Sequence, residues 1–158
     1  MKKLSLLSGG TLFLAFILSL SSFKALPPGP SASGQGSLTL PGEQQRRFSF
    51  HANTMPGNSI KGSGVLTYTG GVLKIHFDID CLKVSGNTAT MSGTVTKLDG
   101  TGGFAPGTKV WFKVVDNGEG SNDNPDQMSL LFGVGGGCNV AYSVNINPIE
   151  GGNIQVKP

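Results

Sequence analysis

The fold is decided by Leu73–Val95, which reads LKIHFDIDCLKVSGNTATMSGTV. In its first half Leu73, Ile75, Phe77 and Ile79 alternate with Lys74, His76, Asp78 and Asp80. Successive side chains of a strand point to opposite faces, so this pattern gives one apolar face and one wet face. Ser85-Gly86-Asn87 carries the residue types of a tight turn. Beyond it Ala89, Met91, Gly93 and Val95 alternate with Thr88, Thr90, Ser92, Thr94 and Thr96. Two such runs around a short turn make an antiparallel hairpin.

The same period continues outward in both directions. Leu38 and Leu40 alternate before Pro41-Gly42, and Phe48 and Phe50 alternate with Arg47 and Ser49. Ile60, Gly62, Gly64, Leu66 and Tyr68 share a face before Gly70-Gly71. Val110, Phe112 and Val114 form another inward set, Met128, Leu130 and Phe132 one more, and Ile154 and Val156 the last. No helical period runs through the body. The expectation is a single all-β domain over residues 37–158, with about eight short strands paired in sequence. Two architectures fit, an antiparallel up-and-down barrel and a two-sheet β-sandwich. Inward glycines (Gly62, Gly64, Gly93) suit strongly curved strands and favour the barrel. For the sandwich, Cys81, Trp111 and Cys138 imitate an immunoglobulin-type framework only loosely.

Composition narrows the class further. Of 158 residues 13% are charged and 25 are Gly, against a usual ~25% charged and ~7% Gly. A coiled coil, a helical bundle and a highly charged disordered chain are excluded. Lys and Arg number 12 against 9 acidic residues; without Lys2 and Lys3 the balance is 10 against 9. Nucleic-acid binding needs clustered cations that displace counterions, and this body has none beyond Arg46-Arg47.

Residues 1–25 read as a signal peptide. Lys2-Lys3 precede the apolar run LFLAFILSL (Leu12 to Leu20), and Ser19 and Ser21 have the spacing of a cleavage site, with Ala25 a second end. The run is shorter than the ~20 residues of a spanning helix. The expected location is therefore secreted, extracellular or periplasmic, with membrane contact only through this segment before cleavage. Residues 26–36, LPPGPSASGQG, read as a flexible linker. An oxidising compartment allows Cys81 and Cys138, the only cysteines, to pair. They close a loop of 57 residues, a constraint of about 4 kcal/mol in the chain-entropy model.

Candidate chemistry concentrates in residues 116–126, DNGEGSNDNPD. Asp116, Glu119, Asp123 and Asp126 are candidate ligands for Ca²⁺, which takes many hard oxygen donors. The spacing is not that of an EF-hand, and Asx side chains also cap turns without metal. A second candidate is the polar face of one strand, His76, Asp78 and Asp80, joined by His51 from a neighbour. Trp111 points away from Phe112 and is either covered by a loop or an exposed stacking surface. Residues 102–109, GGFAPGTK, come near a phosphate loop, but Thr108 and Lys109 stand in the wrong order and a strand follows.

Residues 78–95, DIDCLKVSGNTATMSGTV, and 110–130, VWFKVVDNGEGSNDNPDQMSL, resemble a family of uncharacterised secreted bacterial proteins. That family carries a DxxCLxVxGNxAxxxGxV stretch followed by VxFxVxDNGEG…PDxxSL. Gly36-Ser37-Leu38 with Arg47-Phe48-Ser49-Phe50 and Ala52, and Pro148-Ile149 with Gly152-Asn153-Ile154 and Val156, are similar at the two ends. The resemblance implies export and a single compact domain, and implies no activity.

Three functions are open to such a chain. The preferred one is a non-enzymatic secreted β domain that binds a partner, an envelope component or Ca²⁺ through the 116–126 loop. The second is a carrier holding a small apolar ligand among Leu66, Phe77, Met91 and Phe112 in a barrel interior. The third is a metal-dependent enzyme centred on His76.

Overall fold

The computed structural model describes residues 29–68, 73–119, 123–133, 137–139, 141 and 143–158. The expected signal peptide, residues 1–25, lies outside them. The described residues form ten strands and no helix: β1 (Ser31–Leu38), β2 (Arg46–Thr54), β3 (Ile60–Tyr68), β4 (Leu73–Ser85), β5 (Thr88–Gly100), β6 (Lys109–Val115), β7 (Gln127–Ser129), β8 (Phe132–Gly133), β9 (Ile146–Pro148) and β10 (Gly151–Lys157). All belong to one antiparallel sheet, in the order β10-β1-β2-β3-β4-β5-β6-β7-β9, with β8 also on β6. The topology is up-and-down, and one continuous sheet excludes a two-sheet sandwich. The exceptions to sequential order are β8, which pairs back with β6 and leaves β7 beside β9, and β10, which returns to pair with β1.

Aromatic contacts show how far the sheet curls. In a flat sheet β2 and β6 would stand about 19 Å apart, four strand spacings. Yet the rings of Phe50 on β2 and Phe112 on β6 are 5.2 Å apart, edge to face. Phe77 on β4 meets the same Phe112 ring at 5.7 Å. The sheet therefore wraps into a half-barrel around these rings. The leading alternations are as expected: Ile75, Phe77, Ile79, Ala89, Met91 and Val95 are all buried.

The inward glycines leave space for rings of this chain. A Cβ on Gly64 would stand 2.3 Å from Phe77 Cζ. One on Gly93 would stand 1.7 Å from the Asp78 carbonyl oxygen, beside the register shift between Ile79 and Cys81. Gly64 and Gly93 thus make room for the Phe77 ring and for closely approaching backbone of this chain.

Two expectations are corrected. The 26–36 linker is strand from Ser31 on, paired with β2 on one side and β10 on the other. The inward positions of β1 before Leu38 are Ala32, Gly34 and Gly36, which carry no bulky apolar signal. They are small because neighbours fill the space: a Cβ on Gly34 would stand 2.9 Å from both Phe50 Cε1 and Ile154 Cγ1. The domain begins at β1, not at residue 37.

The second correction concerns Met128, Leu130 and Phe132, expected to share an inward face. Val114 pairs with Met128 and Val115 with Gln127, whereas Trp111 pairs with Phe132 and Val110 with Gly133. The register shifts by one residue between these pairs. At the break the Lys113 N–H donates to the Ser129 hydroxyl, at 2.9 Å. A one-residue slip sends every later side chain to the other face. Met128 stays in the core, and Phe132 moves outside, where it stacks on Trp111 with centroids 4.8 Å apart.

The Cys81–Cys138 disulfide is formed, with Cα atoms 5.7 Å apart. On the outer face Cys81, Ser92, Trp111 and Phe132 form a row across β4, β5, β6 and β8. The Cys138 N–H donates to the Ser92 hydroxyl at 3.1 Å. The disulfide therefore pins a segment across this row, and Thr90, Ser92 and Trp111 are buried although they point away from the core.

Candidate binding site at the acidic loop

The loop begins at Asp116, directly after β6, and ends at Asp126, directly before β7. Both carboxylates turn toward β10. Asp126 Oδ2 accepts the Ile154 N–H at 2.7 Å and its Oδ1 accepts the Asn117 N–H at 2.8 Å. Asp116 Oδ2 accepts the Val156 N–H at 2.8 Å, and its Oδ1 accepts the Gly118 N–H at 3.0 Å. Alternate N–H groups of a strand point the same way, so Ile154 and Val156 present one edge of β10. The other edge is paired with β1. The two aspartates stand where carbonyl oxygens of a further strand would otherwise be, and they join the two ends of the curled sheet. Beside this seam the Ile149 N–H donates to the Asp126 carbonyl at 2.9 Å and continues the β7–β9 pairing by one step.

Glu119 docks on the outer face of β10, accepting from the side chains of Asn153, at 3.1 Å, and Gln155. The Gln155 contact first, then that of Asn153, hold its carboxyl below the usual glutamate range against desolvation, with the Lys157 charge adding least. A depressed carboxyl contributes stability above its unfolded value and loses it as pH falls through the folded one. Glu119 should therefore complete its NMR titration below the ordinary glutamate range, and Gln155→Ala should move it upward. An ordinary titration in the parent protein would show that the contact is not made in solution.

A cleft of about 410 Å³ lies between the loop and the β9–β10 turn. Glu119, Asp123, Asp126 and Glu150 line it. Glu150 also accepts from the Thr39 hydroxyl and the Gln45 amide, at 3.1 and 3.2 Å. Of the four expected loop ligands, the structure gives Asp116 and Asp126 to backbone amides and leaves Glu119 and Asp123 at the cleft. Among the described residues no three His, Cys, Asp or Glu side chains are placed to hold a metal ion. Glu150, Asn153 and Gln155 were not visible as site residues in the sequence. Their signal is the Glu150-Gly151-Gly152 turn, which only the sheet order brings to the loop.

The other candidates disperse. His76 Nε2 stands 3.7 Å from Asp99, which also pairs with Lys97 at 2.8 Å. The hydrogen bond from Lys97 chiefly lowers the Asp99 carboxyl, against desolvation, with the charges of Lys97, His76 and Lys74 adding to it. Asp80 pairs with Lys109 at 2.9 Å. Asp78 lies in register with Ser63 on β3, and Ser63 with His51 on β2. Trp111 is covered, as above. Residues 102–108 lie in the β5–β6 connection and Lys109 opens β6; the connection is closed by the Val95 N–H to the Thr108 carbonyl and the Gly107 N–H to the Val95 carbonyl. Arg46 is buried against Glu43, with its guanidinium 5.0 Å from the Tyr68 ring centroid.

No family model, curated protein or solved structure matches this chain. Among the described residues no helix is long and apolar enough to cross a membrane.

Proposed function

We propose that this protein is an exported, non-enzymatic β domain that binds through the cleft between the 116–126 loop and the β9–β10 turn. Its ligand is a partner or envelope component that offers cationic groups, or Ca²⁺ held with it. One observation carries the reading: Glu119, Asp123 and Glu150 share a cleft whose walls are fastened to β10 by Asp116 and Asp126. A loop held by a rigid scaffold is a common place for binding residues. The amino-terminal leader pattern, the disulfide and the resemblance to secreted bacterial proteins support export.

Calorimetric titration with Ca²⁺ and with an oligolysine peptide tests the reading, together with thermal melts with and without chelator. Binding should weaken in a Glu119→Gln, Asp123→Asn, Glu150→Gln variant, whose seam aspartates are intact. Absence of heat from either titrant removes the proposal. Binding that the triple variant keeps removes it as well.

A further inference from the structure

A pocket of about 250 Å³ lies beside the disulfide, lined by Asp80, Cys81, Ser92, Lys109, Val110 and Gly137. Neighbouring residues of a regular strand point to opposite faces, yet Asp80 and Cys81 both line it. The register shift between Ile79 and Cys81 is the reason. Ile79 pairs with Gly93 and Cys81 with Ser92, which leaves Asp80 as the extra residue of a bulge. A Cβ on Gly137 would stand 3.8 Å from Cys81 Sγ and 3.7 Å from Ser92 Oγ. Glycine at this position leaves that side of the Cys81 sulfur open.

The two sulfurs of the bridge differ in access. Cys81 is half-buried, whereas Cys138 is 1% exposed. In thiol–disulfide exchange an attacking thiolate must reach one sulfur, and the other sulfur leaves. Cys81 would be the better-solvated leaving group, but that route requires a thiolate to reach buried Cys138. Access therefore decides, and attack falls on Cys81. The rim of the pocket carries both signs of charge. Lys109 Nζ stands 2.9 Å from Asp80 Oδ2, and both side chains are exposed. An exposed ion pair contributes little to stability. It yields readily to a ligand whose own ammonium meets Asp80 and whose carboxylate meets Lys109.

We propose that Cys81 is a thiolation site, at which a small zwitterionic thiol of the amino-acid kind opens the Cys81–Cys138 bridge from this pocket. The incoming thiolate forms a new S–S bond to Cys81 Sγ. The Cys81–Cys138 bond breaks with its electron pair on Cys138 Sγ, which takes up the proton the incoming thiol gave up. The incoming sulfur is oxidised and that of Cys138 reduced, so no other oxidant or reductant takes part. Attack by Cys138 on the adduct restores the bridge and releases the thiol. The Cys138 segment is thus fastened or freed by the thiol content of its surroundings. This site and the acidic cleft are independent of one another. To test it, the oxidised, folded protein is mixed with L-cysteine in native buffer, quenched early with acid, alkylated with N-ethylmaleimide and mapped by mass spectrometry. The added thiol should sit on Cys81 and the maleimide on Cys138, with the opposite pattern about tenfold rarer or less. Gly137→Ala, whose methyl group covers the Cys81 sulfur, should slow opening about fivefold at an unchanged urea midpoint. In Asp80→Asn/Lys109→Gln the preference for L-cysteine over uncharged 2-mercaptoethanol should fall about threefold, the scale of an exposed ion pair. An adduct chiefly on Cys138, an unchanged thiol preference in that variant, or opening no faster than global unfolding would overturn the proposal.

Discussion

Asp126→Ala should cost about 4 kcal/mol of folding stability, read as a lowered urea midpoint at unchanged slope. Asp126 is 5% exposed, and its two oxygens accept the backbone N–H groups of Asn117 and Ile154. A hydrogen bond to a charged group contributes about 1.5–3 kcal/mol, and a buried N–H left without a partner costs about 1–3. Ile154 is fully buried, so water cannot reach its amide in the variant without the seam opening. Asp126→Asn keeps one acceptor oxygen but turns an NH₂ group toward the other N–H, so about half the loss should remain. Asp116→Ala, at a half-buried position, should cost less. Because both aspartates hold the same edge of β10, the two losses should couple: once β10 is released by one change, the other has less left to break. The double variant should then fall short of the sum by more than about 0.5 kcal/mol. Hydrogen exchange at Ile154 and Val156 should quicken before exchange in β4 and β5 does. An Asp126→Ala protein within about 1 kcal/mol of the parent would mean that the sheet ends are joined by something other than these carboxylates.

This seam also explains which parts of the molecule are legible in its sequence. β4 and β5 are legible because their core face carries Ile75, Phe77, Ile79, Met91 and Val95 in strict alternation with polar residues. β1 is legible only at Leu38, because Ala32, Gly34 and Gly36 are small to admit Phe50 and Ile154, and smallness reads as linker. The bulge after Ser129 leaves no mark on a period-two pattern, so Phe132 is placed on the wrong face. The acidic loop is visible as a concentration of carboxylates, but the partners of Asp126 and Asp116 on β10 lie 28 and 40 residues away. Nothing in the DNGEGSNDNPD spacing says that two of its acids serve backbone amides and two face a cleft. That division follows from the return of β10 beside β1, a non-sequential pairing that no local signal announces. The disulfide is the opposite case. With two cysteines there is one intramolecular pairing, and the strand register brings Cys81 beneath the segment that carries Cys138.

Removing that disulfide should produce the other large effect. The Cys81→Ala/Cys138→Ala protein should lose about 4 kcal/mol, because an uncrosslinked unfolded chain regains the freedom of a 57-residue loop. This is a large part of the roughly 5–15 kcal/mol typical of a whole domain. The loss should be uneven. The covering segment is held to Ser92 by the Cys138 N–H bond at 3.1 Å, worth about 1 kcal/mol on its own. Without the crosslink it should lift from Ser92, the cross-strand neighbour of Trp111, before the barrel unfolds. Trp111 is the only tryptophan in the chain, so its emission reports this step directly. In the variant it should shift to the red at lower urea than the far-ultraviolet signal of the strands changes, whereas in the parent the two transitions should coincide. Coincident transitions in both proteins with equal midpoints would show that core and β8 contacts alone hold the cover in place. A staged transition would show instead that oxidation closes the outer face over a sheet that folds by its own alternation.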